Sequence, residues 1–307
     1  MKHWGIDLGG TKTEVVVVHE GRVRLRKRVP TNGEKGYDAL LLNIKTLIES
    51  AASEIGSGPE TIGFATPGSI SPTTGLLRNS NTTCLNGRPF VEDLRAILNV
   101  DVRIANDANC FALAEARWGA GREVGPTETF LGLIIGTGVG AGVVVRDELV
   151  VGANGNAGEW GHNILDRDGR LCYCGRRGCV ETVISGPSLE LFYESLAGRH
   201  LSLEEIYKSW AHDEFARVTI ERLLSKFGEA ISTVINILDP DVIVIGGGVG
   251  NIPQLYEKWP EYSLPYLFNG HENEISTRLL KPLLGDSAGV FGAAALTGEF
   301  NLEIADL

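Results

Sequence analysis

Residues 3–19, HWGIDLGGTKTEVVVVH, decide how the rest of the chain is read. His3 to Leu8 is the short apolar run of a buried strand. Gly9-Gly10-Thr11 is a turn, and Thr13 to His19 is a valine-rich return strand. The pattern comes back in residues 131–145, LGLIIGTGVGAGVVV, as a strand at Leu131 to Ile135, a turn at Gly136 to Gly140 and a return strand at Ala141 to Val145. Glycine-tipped hairpins are common singly. A second one with the same valine-rich arm suggests an internal duplication into two similar α/β domains.

The stretches around these hairpins alternate helix and short apolar strand, the mark of α/β architecture. A third strand is expected at Arg22 to Val29. A helix is expected from Tyr37 to Ile55, with Leu40, Ile44, Leu47 and Ile48 on one face. Thr61 to Ala65 reads as a buried strand ending in Thr66-Pro67-Gly68. Val100 to Ala105 reads as another, running into Asn106-Asp107 and a helix from Ala108 to Trp118. Further on, Ile231, Val234, Ile235 and Leu238 form one helical face. Asp239-Pro240 ends that helix, and Asp241 to Ile245 is a buried strand leading into Gly246-Gly247-Gly248. Residues 188–225 read as helices without visible chemistry.

Composition narrows the function classes. The 307 residues are 43% hydrophobic and 22% charged, as in a soluble globular protein, and suffice for two domains. A net charge of −11 argues against nucleic acid as the main partner, since phosphate backbones call for a basic face. No apolar run approaches the roughly 20 residues that cross a bilayer. Met1 leads within a few residues into the first strand, so no secretory leader is expected. Five cysteines fit a reducing cytoplasm better than a disulfide framework.

Three of those cysteines carry the most specific signal. His162, Cys172, Cys174 and Cys179 have the ligand types and spacing of a closed Cys3His zinc site, with Glu159 and Glu181 on either side. All four positions come from protein, so the metal would be structural. The alternative is free buried thiols, but Cys-x-Cys-Gly-x-x-Gly-Cys is a turn sequence poor in core-forming residues.

The glycine turns suit phosphates. Gly9 and Gly10 expose backbone N–H groups, Thr11, Lys12 and Thr13 add donors, and Asp7 can hold Mg²⁺ through water. Gly136, Thr137, Gly138 and Gly140 can clamp from a second turn, and Gly246, Gly247 and Gly248 can lie against a nucleoside. Any one of these alone reads equally well as an ordinary turn. No Gly-Lys-Ser/Thr P-loop and no G-x-G-x-x-G fingerprint occurs. Asp107 ends a strand and opens a helix, where ligands meet α/β sheets. It is the candidate general base, although an aspartate there also serves as a helix cap. Asn106 and Asn109 beside it, and Asn79, Asn81 and Asn86 in the loop after Pro67-Gly68, supply the amides that polyhydroxylated ligands need. His162 can give one ring nitrogen to zinc and the other to a ligand or carboxylate.

Taken in this order, these motifs resemble the ROK family (repressors, open reading frames and kinases) of the actin-like superfamily. The resemblance covers nearly the whole chain. It implies a duplicated, two-lobed, ribonuclease H-like sugar kinase fold with a structural zinc site. The N-terminal lobe is expected over residues 1–118 and the larger C-terminal lobe over 119–288, with a helix at about 289–307 packing back on the first. It implies ATP- and Mg²⁺-dependent transfer to the 6-hydroxyl of a hexose, the lobes closing to exclude water, with Asp107 as base. Gly68, Asn81, Asn106, Asp107, Glu159, His162 and Glu181 would hold the sugar. A homodimer is implied by analogy alone. Residues Pro67 to Pro72, Asn79 to Gly87 and Ala157 to Asn163 resemble fructokinases that also accept mannose, so fructose is the expected substrate. Those relatives tend to carry tryptophan where this chain has Cys84. N-acetylglucosamine kinases, which share the zinc cluster and the Asn-Asp-Ala-Asn run, and broad glucose/mannose kinases of the family are the alternatives. A non-catalytic sugar-binding regulator is more remote, because Asp107 and both hairpins are intact. Repressors of the family carry an added DNA-binding segment before the first strand.

Overall fold

A computed structural model describes residues 1–272 and 274–303. Its strands are β1 (Lys2–Leu8), β2 (Lys12–His19), β3 (Arg22–Pro30), β4 (Thr61–Thr66), β5 (Ser69–Ile70), β6 (Leu77–Arg78), β7 (Asp101–Asn106), β8 (Thr129–Ile135), β9 (Val139–Val145), β10 (Glu148–Leu149), β11 (Val242–Gly246) and β12 (Arg278–Leu280). Its helices are α1 (Tyr37–Ile55), α2 (Phe90–Leu98), α3 (Asp107–Arg117), α4 (Ala120–Glu123), α5 (Glu181–Ile184), α6 (Gly186–Ala197), α7 (Leu203–Ser209), α8 (Glu214–Leu238), α9 (Pro253–Ser263) and α10 (Ala288–Ala295).

The duplication is visible in the strand order. One sheet runs β3-β2-β1-β4-β7 and the other β10-β9-β8-β11-β12. In each, two strands follow one another as a hairpin, a third lies outside the second arm, and two later strands join on the far side of the first arm. β1, β4 and β7 run parallel, as do β8, β11 and β12. The chain divides into two compact units. One comprises 1–123, 142–157 and 283–307, and the other 124–141 and 158–282.

In the first unit the two sheet faces are built differently, and alternation along the strands is the reason. Trp4, Ile6 and Leu8 of β1, Val15 and Val17 of β2, and Ile62 and Phe64 of β4 share one face. They pack with Leu40, Ile44, Leu47 and Ile48 of α1 and with Phe90 and Leu94 of α2. The other face carries Gly5, Gly63 and Ala65, and small residues there let α10 lie on the backbone. A Cβ at Gly5 would stand 2.3 Å from the Val290 carbonyl oxygen, and one at Gly63 only 1.8 Å from that of Ala293. The obstacle at Gly63 is backbone and cannot swing aside. Gly63→Ala is therefore expected to cost about 3 kcal/mol or more by overpacking, read as a lower denaturation midpoint. An unchanged midpoint would mean that α10 does not seat on β4.

The last helix is shorter than the sequence suggests. α10 ends at Ala295, and Gly298 takes a positive φ of 147°. Phe300 then stacks on His3 with centroids 4.4 Å apart and lies 4.6 Å from the Trp118 ring, turning the chain back across β1. Residues 304–307, the tail of the expected helix, lie outside the described residues. Buried Glu115 of α3 anchors the entry to α10 by accepting from the Leu283 and Leu284 N–H groups.

In the second unit, β11 is buried throughout, as its unbroken apolar run requires. α8 buries Ile220, Leu223, Leu224, Phe227, Ile231 and Ile235, a repeat of three to four residues. It is capped by Asp213, which accepts from the N–H groups of Phe215 and Ala216. No helix of the described residues is long and apolar enough to cross a membrane.

Candidate functional site

In the first unit, the carboxyl ends of β1, β4 and β7 bring the expected residues together. Asp7 pairs with Ala65 in register, and Thr66 pairs with Asn106. Asn106, not Asp107, is the N-cap of α3. Its Oδ1 accepts from the Ala108 N–H at 2.9 Å while its Nδ2 donates to the Gly68 carbonyl at 3.1 Å. This leaves Asp107 as the first residue of the helix, exposed, with Oδ1 accepting from the same Ala108 N–H at 2.8 Å. Gly68 has φ 85° and is pressed against the Arg78 carbonyl and the Ser80 N–H, so no side chain fits there. Asn81 is exposed, whereas Asn86 is spent clamping its own loop through the Ser80 N–H and carbonyl.

The first glycine turn is closed by a bond from the Gly9 N–H to the Lys12 carbonyl at 3.0 Å. Gly10, Thr11 and Lys12 are exposed at its tip. Thr13 is fully buried and its hydroxyl pairs with that of Thr31 at 3.0 Å, so it braces the turn from beneath. Asp7 is pushed up to about 7, first by burial and then by the charges of Asp107 and Glu14, with Arg28 opposing. A carboxylate crowded in this way is a suitable partner for a cation such as Mg²⁺. The Glu14 carboxylate is held in turn by Arg26 and, at 2.6 Å, by Arg28.

In the second unit, the turn at Gly136 to Gly140 meets two other expected elements. The Gly136 carbonyl accepts from the Gly186 N–H at 2.9 Å, and a Cβ on Gly247 would lie 2.5 Å from the Ile135 carbonyl oxygen. Glu181 sends Oε2 to the Val139 N–H at 3.0 Å, and a Cβ on Gly138 would stand 2.7 Å from that oxygen. Its other oxygen lies 3.9 Å from the Cys172 sulfur. Glu159 and His162 sit in a 3-10 turn pinned on two sides. The Trp160 indole donates to the Ala230 carbonyl, and Gly161 lies so close to Val139 that a Cβ would stand 2.1 Å from its carbonyl oxygen.

The four ligand atoms of His162, Cys172, Cys174 and Cys179 lie within 4.8 Å of one another. Zinc–sulfur bonds of about 2.3 Å put two sulfurs of a tetrahedron roughly 3.7 Å apart. The Cys174 and Cys179 sulfurs are 3.5 Å apart, and Cys172 Sγ is 3.6 Å from His162 Nδ1. The donor set fits zinc, with Nδ1 as the histidine ligand atom. His162 Nε2 then points away from the cluster, to the Tyr173 hydroxyl at 2.9 Å and Glu159 at 4.0 Å. Sequence reasoning missed Tyr173. Lying between two cysteine ligands it reads as a spacer, and only its ring contact with His162, edge to face at 5.1 Å, reveals it.

A family model described as ROK family matches residues 3–299. The chain is 36% identical over 307 residues to the N-acetyl-D-glucosamine kinase of Histophilus somni (strain 129Pt), covering 96% of this chain and 98% of that protein. Among solved structures, the ROK hexokinase of Thermus thermophilus matches with a TM-score of 0.83 at 31% identity, over 96% of this chain and 97% of that one. The ROK family glucokinase of Streptomyces griseus, in complex with glucose and AMPPNP, matches with a TM-score of 0.77 at 25% identity, over 96% and 99%.

Proposed function

The chain belongs to the ROK family, and from that premise we propose that it is an ATP-dependent kinase acting on the 6-hydroxyl of N-acetyl-D-glucosamine. One observation carries the reading. An exposed carboxylate, Asp107, stands at the carboxyl end of a parallel strand, close enough for its charge to push Asp7 up, in a chain that aligns over 96% of its length with an N-acetyl-D-glucosamine kinase. That alignment favours N-acetyl-D-glucosamine over fructose, whose case rests on three short segments.

In the proposed reaction the sugar 6-oxygen attacks the γ-phosphorus of ATP and the bond to the ADP oxygen breaks. Asp107 takes the hydroxyl proton as the new P–O bond forms. Backbone N–H groups near Gly10 and Gly138 stabilise charge on the transferring oxygens, with Thr11, Lys12 and Thr137 at the same turns. Mg²⁺, held by Asp7 through water, would neutralise phosphate charge. Gly246 to Gly248 offer backbone to the nucleoside. Gly68, Asn81, Asn106, Glu159, His162 and Glu181 are assigned to the sugar. Zinc on His162, Cys172, Cys174 and Cys179 would be structural. Its thiolate ligands need reducing surroundings, which suits a cytoplasmic enzyme.

The test is ADP release from ATP and Mg²⁺ with fructose, mannose, glucose and N-acetyl-D-glucosamine in turn. The highest kcat/KM is expected on N-acetyl-D-glucosamine. Preference for fructose would restore the fructokinase reading, and preference for glucose or mannose a broad hexokinase. No turnover on any of them in zinc-loaded protein would overturn the kinase.

A further inference from the structure

We propose that Tyr173 is a gate of the sugar site that sets its affinity, its hydroxyl occupying the His162 nitrogen that the sugar must take. The inference rests on the proposed sugar role of His162 and deepens it. The geometry comes from the metal knuckle. Cys172 and Cys174 fix the backbone on both sides of Tyr173, the Cys172 N–H donating to the Arg176 carbonyl at 2.7 Å and the Gly175 N–H to the Cys172 carbonyl at 3.0 Å. The Tyr173 ring meets the His162 ring edge to face, with planes at 88°, and its hydroxyl stands 2.9 Å from Nε2.

The chemistry of the donor set decides which atom gives the proton. With Nδ1 turned toward the cysteines, a neutral imidazole committed there as a ligand carries its proton on Nε2. Nε2–H then donates to the Tyr173 oxygen. A sugar hydroxyl arriving at His162 needs the same N–H. The phenol must swing away, and its side chain is free to do so because the residue is 72% exposed. Glu159, 4.0 Å from Nε2, lies on the same side of the histidine. The hydroxyl thus subtracts from sugar affinity the net strength of one hydrogen bond.

Tyr173→Phe keeps the ring and removes only the hydroxyl. Calorimetric titration of N-acetyl-D-glucosamine without nucleotide, into zinc-loaded wild type and variant, is expected to show a Kd about 3- to 10-fold lower in the variant, the worth of one net hydrogen bond. Zinc content and melting temperature should match wild type, which separates the gate from a role in holding the knuckle. Equal Kd values would overturn the gate. A higher Kd in the variant would also overturn it, making Tyr173 a direct sugar ligand. Lost zinc would overturn it in favour of a structural role. Failure of the wild type to bind this sugar or glucose would instead remove the sugar-site reading on which the gate depends.

Discussion

Asp107→Asn is expected to lower ADP release about 10²- to 10⁴-fold while leaving the melting curve near that of wild type. The loss follows from the proton. An amide cannot accept it from the attacking hydroxyl, so the sugar oxygen must attack in its less nucleophilic form. The fold survives because the cap of α3 is Asn106, whose Oδ1 reaches the Ala108 N–H at 2.9 Å without help from residue 107. An asparagine oxygen can also keep the 2.8 Å bond now made by Asp107. The helix loses one favourable charge at its N-terminus, worth about 0.3–1 kcal/mol. Part of that returns, because the Asp107 charge is one of the causes that push Asp7 up. Near-normal turnover in a folded variant would rule out Asp107 as the base. A variant that melts early would mean that the carboxylate holds structure and that the rate loss cannot be assigned to proton transfer.

How much of this was readable in advance depends on where each residue's partners lie in the sequence. The hairpins, their valine arms and the helix faces are local patterns, and the observed strands β1, β2, β8, β9 and β11 fall where those patterns put them. The zinc ligands are likewise close together, and four donors at knuckle spacing have few other uses. Long-range contacts left no such mark. Gly5 and Gly63 look like ordinary strand glycines until α10, more than two hundred residues later, presses on their Cα atoms. The end of α10 depends on Phe300 finding His3 and Trp118, which no periodicity encodes. Residue type also hides orientation. Thr13 and Asn86 have the same donors as Thr11 and Asn81, yet the first pair is spent on Thr31 and Ser80. Tyr173 was invisible for the converse reason, since its partner His162 was already assigned to the metal.

Removal of zinc by a strong chelator is expected to lower the melting temperature by roughly 10 °C or more and to open residues 159–181 to hydrogen exchange before the sheet of the first unit. Beyond the pinned turn at its start, the segment is held by a few backbone bonds, such as those from the Leu165 and Asp166 N–H groups to the Gly178 carbonyl. Its regular pairing amounts to the bridges Ile164 to Cys179 and Leu171 to Arg177. Ile164, Leu171 and Tyr173 point largely to solvent, and the buried Trp160 and Val180 lie at its two ends, so the stretch between them is not held by apolar burial. Binding energies of about 10–16 kcal/mol for structural zinc are then folding energy for this stretch. Glu181 carries the consequence further. One of its oxygens faces Cys172 at 3.9 Å, and the other holds the Val139 N–H at 3.0 Å. A knuckle that loosens releases that carboxylate, and the glycine turn from Gly136 to Gly140 loses the acceptor that fixes it. The Val139 amide should therefore exchange faster in metal-free protein although it binds no metal itself. Cys179→Ser should reproduce both effects. An unchanged melting curve after verified zinc loss would show that the knuckle holds itself. Fast exchange confined to 159–181, with Val139 still protected, would show that Glu181 keeps its place without the metal.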